Sequence, residues 1–208
     1  MKLMLTKLDG PPPPPTEWLV EGVIPALGIS VLASQPGMGK TILAANIATA
    51  VASGSPVLDR ATKPGAVMFL TAESQATTHR RLSLLGGGRL PIVIAHGEVN
   101  LLDDDAGEVL ATTISDAGRM LGQPIRLVIV DALGSACRGM DENSAKDVSR
   151  AMGALVAATE ATKAAVLLLA HVAKSGATSR VRAIRRSRRT LKSASQSKFT
   201  KAGRPWFL

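Results

Sequence analysis

Tyrosine is absent from the 208 residues, and aromatic side chains of all kinds make up only 2% of them. A core built from this chain must therefore depend on Ala, Val, Leu and Ile. The single cysteine, Cys137, excludes an internal disulfide, which fits a reducing compartment. No apolar run approaches the roughly 18 residues of a membrane-spanning helix, and the opening MKLMLTKLDG lacks the apolar stretch of a secretion signal. We expect a cytoplasmic protein with no membrane partner.

Acidic residues stop at Glu160. Residues 161–208 contain 12 of the 25 Lys and Arg residues and none of the 16 Asp and Glu residues, so the formal net charge of +9 is concentrated there. Five consecutive prolines near the N-terminus favour a stiff, extended linker. These features divide the chain into a Pro-rich linker at 1–16, a folded domain at 17–176 and a basic tail at 177–208, which we expect to be disordered.

Short apolar runs alternate with helical patterns through the middle of the chain. We predict strands at 29–34, 65–73, 90–96, 125–131 and 164–171, and helices at 40–53, 75–85, 105–121 and 144–162. Several of the strands are almost continuously apolar, as expected when helices cover both faces of a sheet. The alternation predicts an α/β fold with a mostly parallel sheet.

The stretch ASQPGMGKT joins the first of these strands to a helix. This context is typical of a phosphate-binding loop, in which glycines let successive N–H groups face a phosphate at a helix N-terminus. In the pattern G-x-x-x-x-G-K-[ST], Ser34 replaces the first glycine, a departure that matters if its φ is positive. Gly37 partly compensates for the missing glycine by supplying a second flexible point in the loop. The predicted nucleotide-binding residues are Ser34, Gln35, Pro36, Gly37, Met38, Gly39, Lys40 and Thr41.

Three polar side chains follow other predicted strands. Asp131 ends IRLVIVD, at the edge of a parallel sheet where ligands bind, and with the Thr41 hydroxyl it is a candidate Mg²⁺ ligand. Glu73 ends the strand after the loop helix and is a candidate to orient the attacking water; it would face the γ-phosphate if that strand lay beside the loop strand. His171 ends the last strand, either as a γ-phosphate contact or as an ordinary satisfied polar group.

With these residues in place, the chain resembles RecA-like P-loop ATPases, and among them the RepA-type hexameric replicative helicases of plasmids and phages and related primase-associated AAA domains. The matching segments fall in the family's order over residues 17–176, and DENSAKD, at 141–147, is characteristic of this branch. The resemblance implies a RecA-like core that binds ATP and Mg²⁺ between subunits of a ring. It also implies single-stranded DNA as a partner, and a primase as a further one.

The resemblance assigns roles to single residues. It implies that Lys40 and Glu73 are catalytic and that Thr41 and Asp131 hold the metal ion. It also implies that His171 belongs to the sensing strand, and it places Arg81 near the nucleotide. Two departures stand out: Ala170 replaces the first of the family's frequently paired histidines, and the basic tail replaces a segment whose arginine usually serves the neighbouring subunit.

The tail allows two interpretations. Its arginines are suited to salt-sensitive binding of nucleic-acid phosphates. We favour a tail without a selected role and hypothesise a shifted reading frame, because the codons of residues 189–196 permit an acidic, alternating strand in another frame. Three functions remain: a DNA-stimulated helicase ATPase, which we expect; a nucleotide-binding protein without turnover; and a P-loop kinase, which the Glu73 strand disfavours.

Overall fold

The computed structural model describes residues 10, 12, 14–71, 74–97, 99–140 and 144–171. The predicted basic tail and most of the predicted linker lie outside this part of the chain. The strands are β1 (Trp18–Val20), β2 (Ile24–Pro25), β3 (Ile29–Ser34), β4 (Ala66–Thr71), β5 (Ile92–His96), β6 (Ile125–Asp131) and β7 (Ala165–His171). The α-helices are α1 (Lys40–Ser53), α2 (Gln75–Leu84), α3 (Ala106–Leu121) and α4 (Ala145–Thr162), and a short 3₁₀ turn covers Gly87–Arg89.

Five strands form one parallel sheet in the order β3-β7-β6-β4-β5. The predicted α/β class and parallel sheet are confirmed. Glu73 was expected to face the γ-phosphate if its strand lay beside the loop strand, and this condition is not met. Both β7 and β6 stand between β4 and β3, because the chain crosses over the sheet before it returns to pair with β3.

Helices cover both faces of this sheet, as the continuous apolar strands predict. In β6, Leu127 and Ile129 face the core beneath α1 and α2, whereas Val128 and Val130 face the core beneath α3 and α4. All four side chains are fully buried. Burial on both sides explains why the strand carries no polar alternation.

The packing is close because small residues line the helices. On α1, Ala44 and Ala48 are fully buried against the sheet. A side-chain carbon added at Gly107 in α3 would lie 3.0 Å from Ala157 of α4, so these two helices approach each other through small side chains. This explains how a chain with almost no aromatic residues fills its core.

Local signals set the helix ends. The Ser144 hydroxyl accepts a hydrogen bond from the Asp147 N–H and so caps the start of α4. The Ser74 hydroxyl caps α2 in the same way, by accepting from the Thr77 N–H. Gly54, in the left-handed conformation, ends α1.

The antiparallel β1–β2 hairpin precedes the main sheet and was not predicted as strands. Its Leu19, Val20 and Ile24 are buried in the core on the α1 side. Glu17, just before it, accepts a hydrogen bond from Lys63 at 3.0 Å, and this bond lowers the pKa of the Glu17 carboxyl. The hairpin is therefore an integral part of the domain. Among the helices that the structure describes, none is long and apolar enough to cross a membrane.

Candidate nucleotide-binding site

The predicted phosphate loop lies between the carboxyl end of β3 and the first turn of α1. Residues 35–39 are exposed, whereas Lys40, at the start of the helix, is only 7% exposed. Gly37 and Gly39 have φ of 78° and 79°, in the left-handed region that favours glycine. A side-chain carbon added at either glycine would meet no atom within 4 Å, so backbone conformation and not crowding makes glycine necessary there.

Ser34 does not strain the loop. The described non-glycine residues with positive φ are Leu58, Asp59 and Lys163, and Ser34 is not among them. Ser34 ends β3 as an ordinary strand residue. The missing first glycine of the motif therefore has no backbone cost in this chain, and the positive-φ positions that the loop needs are all glycines.

The helix that follows the loop presents an uncapped N-terminus. Gly39 is the cap residue and has no side chain that could bond to the first N–H groups, and the first turn of α1 contains no acid. The N-terminal N–H groups and the helix dipole favour an anion at this end. An acidic residue in the first turn would oppose that preference, so its absence in α1 fits a site for phosphate groups.

The Lys40 ammonium lies among four acceptors. Its Nζ is 2.9 Å from the Ser34 carbonyl oxygen, 3.1 Å from that of Gln35, 3.2 Å from the Ser34 hydroxyl and 3.2 Å from Nδ1 of His171. Because β3 and β7 are paired with Ser34 opposite His171, the last strand brings the histidine to the loop. The structure thus joins two predicted site residues that are 131 positions apart in the sequence.

Asp131 ends β6 at the same edge of the sheet and is partly buried. One strand, β7, separates β6 from β3, so Asp131 is about 10 Å across the sheet from the end of β3. A small pocket beside it is lined in part by Thr71 and Ser135. The Ser135 hydroxyl accepts from the Ala132 N–H and donates to the Ala132 carbonyl, which fixes the turn after β6.

Thr71 and Ser135 were not identified from the sequence. Thr71 ends β4 and is opposite Asp131 in the paired strands, so its position at a strand end was the available signal. Ser135 had no such signal, because it lies in an irregular turn. Both residues line the small pocket beside Asp131.

The donor set fits a magnesium ion. Thr41 and Asp131 offer a hydroxyl and a carboxylate, and Mg²⁺ prefers a few such oxygen ligands completed by water and phosphate. Within the described part of the chain, no group of three or more His, Cys, Asp or Glu side chains is placed to hold a metal ion. A Mg²⁺ ion held by these two residues would take its other ligands from water and phosphate.

Glu73 and Arg81 were also predicted as site residues. Glu73 lies outside the described residues, just past the end of β4 at Thr71. Arg81 is in α2, about 9 Å along the helix axis from Gln75, and is partly buried. The roles of both residues stay predictions.

The sheet order and the loop between an edge strand and a helix define a RecA-like P-loop domain. Residues 2–177 match the family of AAA domains, and the chain belongs to that family. Among solved structures, one of a DnaB-like replicative helicase, described with its interactions with primase, is similar with a TM-score of 0.53 and 14% identity. That similarity covers 76% of this chain but only 42% of the helicase, so the chain spans less than half of that protein. The similarity to this helicase supports the fold of the chain.

Proposed function

We propose that this domain binds ATP with Mg²⁺ and hydrolyses it as the motor domain of a RepA-type replicative DNA helicase. The observation that carries the proposal is the buried Lys40 ammonium at the uncapped start of α1, next to two left-handed glycines and the end of the last strand. Membership of the AAA family supports nucleotide binding, and the fold shared with a replicative helicase supports the motor class.

In the proposed reaction, each residue of this chain has a separate task. The N–H groups of the loop and of the first turn of α1 bind the phosphates. Lys40 donates hydrogen bonds to the terminal phosphates and neutralises charge that develops during transfer. Thr41 and Asp131 would hold the Mg²⁺, which would supply Lewis-acid stabilisation of phosphate charge. The resemblance assigns the attacking water to Glu73, which would orient it and accept its proton. Because β6 and β7 separate β4 from β3, this role rests on the resemblance and not on adjacent strands.

The proposed partners follow from the same reasoning. We infer that copies of the domain assemble into a ring, with six subunits as in the family it resembles, around single-stranded DNA. The solved helicase whose fold it shares is described with primase, which supports a primase as a further partner. The proposed location is the cytoplasm.

A second function is supported by the C-terminal part of the sequence. Residues 178–208 lie outside the family match and contain no acid. In the family that the chain resembles, the segment after the last strand carries an arginine that serves the adjacent ATP site, and such an arginine is worth about 10³- to 10⁵-fold in rate. In this sequence the basic tail replaces that segment. The second candidate is therefore a protein that binds ATP without hydrolysing it.

Steady-state ATP hydrolysis with and without single-stranded DNA tests the proposal, with Glu73→Gln as the matched control. We expect turnover that DNA stimulates and that the control loses while it still binds ATP. Binding without turnover in the unmodified protein would favour the second function. A protein that binds no ATP would contradict both.

A further inference from the structure

Ser34 departs from the phosphate-loop motif, and its side chain touches the residue on which that motif depends. Its hydroxyl is 3.2 Å from the Lys40 ammonium and also donates to the Gln35 carbonyl oxygen at 3.2 Å. A glycine at this position would have no hydroxyl. The contact is thus specific to this sequence and does not belong to the general architecture of the loop.

The Lys40 ammonium has three N–H donors and four acceptors within 3.2 Å, so the protein itself satisfies its hydrogen-bonding capacity. Two of the acceptors are backbone carbonyls, which any residues at 34 and 35 would supply. The other two are side-chain atoms, the Ser34 hydroxyl oxygen and His171 Nδ1. Any phosphate that takes a donor from Lys40 has to displace at least one of these contacts.

We propose that Ser34 is a positioning residue that, together with His171, holds Lys40 against the ends of β3 and β7 when no nucleotide is bound. Nucleotide binding then includes the release of Lys40 from these two side chains. The inference rests on the proposed ATP-binding function. It adds that this loop binds nucleotide more slowly and more weakly than the same loop with glycine or alanine at position 34.

The geometry gives the direction of the effect. A hydrogen bond to a charged group contributes more than one between neutral groups, and here that contribution favours the nucleotide-free arrangement. Removing the hydroxyl weakens only this arrangement, so we expect Ser34→Ala to raise ATP affinity about threefold to tenfold. The change should be in the association rate constant, because the contact is lost before the complex forms.

The test compares Ser34→Ala with Ser34→Thr in the full chain, using stopped-flow binding of a fluorescent ATP analogue with Mg²⁺. Alanine removes the hydroxyl and keeps a side-chain carbon, whereas threonine keeps the hydroxyl at the end of a strand where a β-branched residue is well tolerated. We expect faster association for alanine, a rate near that of the unmodified protein for threonine, and similar dissociation for all three. Ser34→Gly serves the same purpose if the alanine variant does not fold.

A purely structural role for Ser34 would not produce this kinetic pattern. A double variant with His171→Gln adds a second test, since two side chains that hold one ammonium should show non-additive effects on the association rate. Slower or unchanged association in Ser34→Ala, with ATP binding intact, would overturn the inference and leave the proposed function standing. Failure of the unmodified protein and of Ser34→Ala to bind ATP would overturn both.

Discussion

Ser34 and His171 are opposite each other across β3 and β7, and the Lys40 ammonium lies 3.2 Å from a side-chain atom of each. The contact between Lys40 and His171 depends on the sheet order, because β7 is the strand that pairs directly with β3. The end of the last strand is therefore in contact with the phosphate loop. A single side chain, that of Lys40, thus connects the loop to the end of β7.

Replacing Lys40 with alanine should lower the affinity for ATP at least about tenfold. The substitution removes the buried cation that we assign to the terminal phosphates, and a charge-assisted contact of this kind accounts for at least about tenfold in affinity. Calorimetric titration with Mg²⁺–ATP checks it. Lys63→Ala is the matched control, because Lys63 is exposed and pairs with Glu17 away from the loop. Equal ATP affinity in the two variants would contradict the assignment of Lys40.

Replacing Asp131 with asparagine should separate nucleotide binding from its dependence on magnesium. The amide keeps the shape of the side chain but loses the negative charge that favours a divalent cation. We expect Mg²⁺ to improve ATP binding in the unmodified protein and to do so at least about tenfold less in the variant. Parallel titrations with Mg²⁺ and with EDTA measure the difference.

Asp116→Asn provides the control for that experiment. Asp116 is on α3, where it is exposed and forms an ion pair with Arg119. In the Asp116→Asn variant, Mg²⁺ should improve ATP binding as much as it does in the unmodified protein. If Asp131→Asn also retains the full response, Asp131 is not a metal ligand and its place at the end of β6 has another cause.

Much of the fold follows from the sequence because apolar runs of strand length alternate with helix patterns. β3, β6 and helix α1 have the predicted bounds, since β6 is buried on both faces and the glycine loop separates the end of β3 from the start of α1. The hairpin β1–β2 was missed because strands of three and two residues have no measurable periodicity. The order of the strands was also inaccessible, since composition indicates that a strand is buried but not which strand lies next to it.

For the site, too, local sequence patterns predict single residues but not which residues the sheet brings together. The loop motif identified Lys40 because the chemistry of phosphate binding requires specific residue types at fixed spacing. The contact between Lys40 and His171 depends on the register of β3 against β7, which no local pattern reveals. The consequence of serine at position 34 was likewise conditional on its φ, and only the structure shows that the backbone there is an ordinary strand.

Phe69 should be among the most important residues for stability. It is 1% exposed in β4 and packs in the core beneath α1, in a chain with only three phenylalanines. Phe69→Ala should lower the free energy of unfolding by about 3–5 kcal/mol through lost burial and a cavity. Urea unfolding followed by circular dichroism measures it. Met120→Ala, at a side chain exposed on α3, should stay within about 0.5 kcal/mol. Comparable losses in the two variants would mean that Phe69 is not a core residue.

Cys137 should be unreactive in the folded protein. It is 2% exposed, and burial, followed by the negative charge of Asp147, raises its pKa from the ordinary 9.0 to about 11. The thiolate is the reactive form, so near pH 8 ionisation alone makes the native thiol about a hundredfold less reactive, and burial slows it further. A disulfide reagent should therefore modify Cys137 slowly in buffer and rapidly in urea. Equal rates in both would contradict the burial of this side chain.

The raised pKa of Cys137 also has a consequence for stability, with a definite sign. Below pH 9.0 the thiol is neutral in both the folded and the unfolded chain, so pH has no effect through this group. Between 9.0 and about 11 the unfolded chain loses the proton first, so the free energy of unfolding falls as pH rises, by up to about 1.4 kcal/mol per pH unit. Other groups titrate in the same range, and Cys137→Ala removes only the contribution of the thiol.

The difference in stability between the unmodified protein and this variant should therefore be constant up to pH 9 and shift in favour of the variant above it. A difference that stays constant to pH 11 would mean that the thiol ionises equally in the two states.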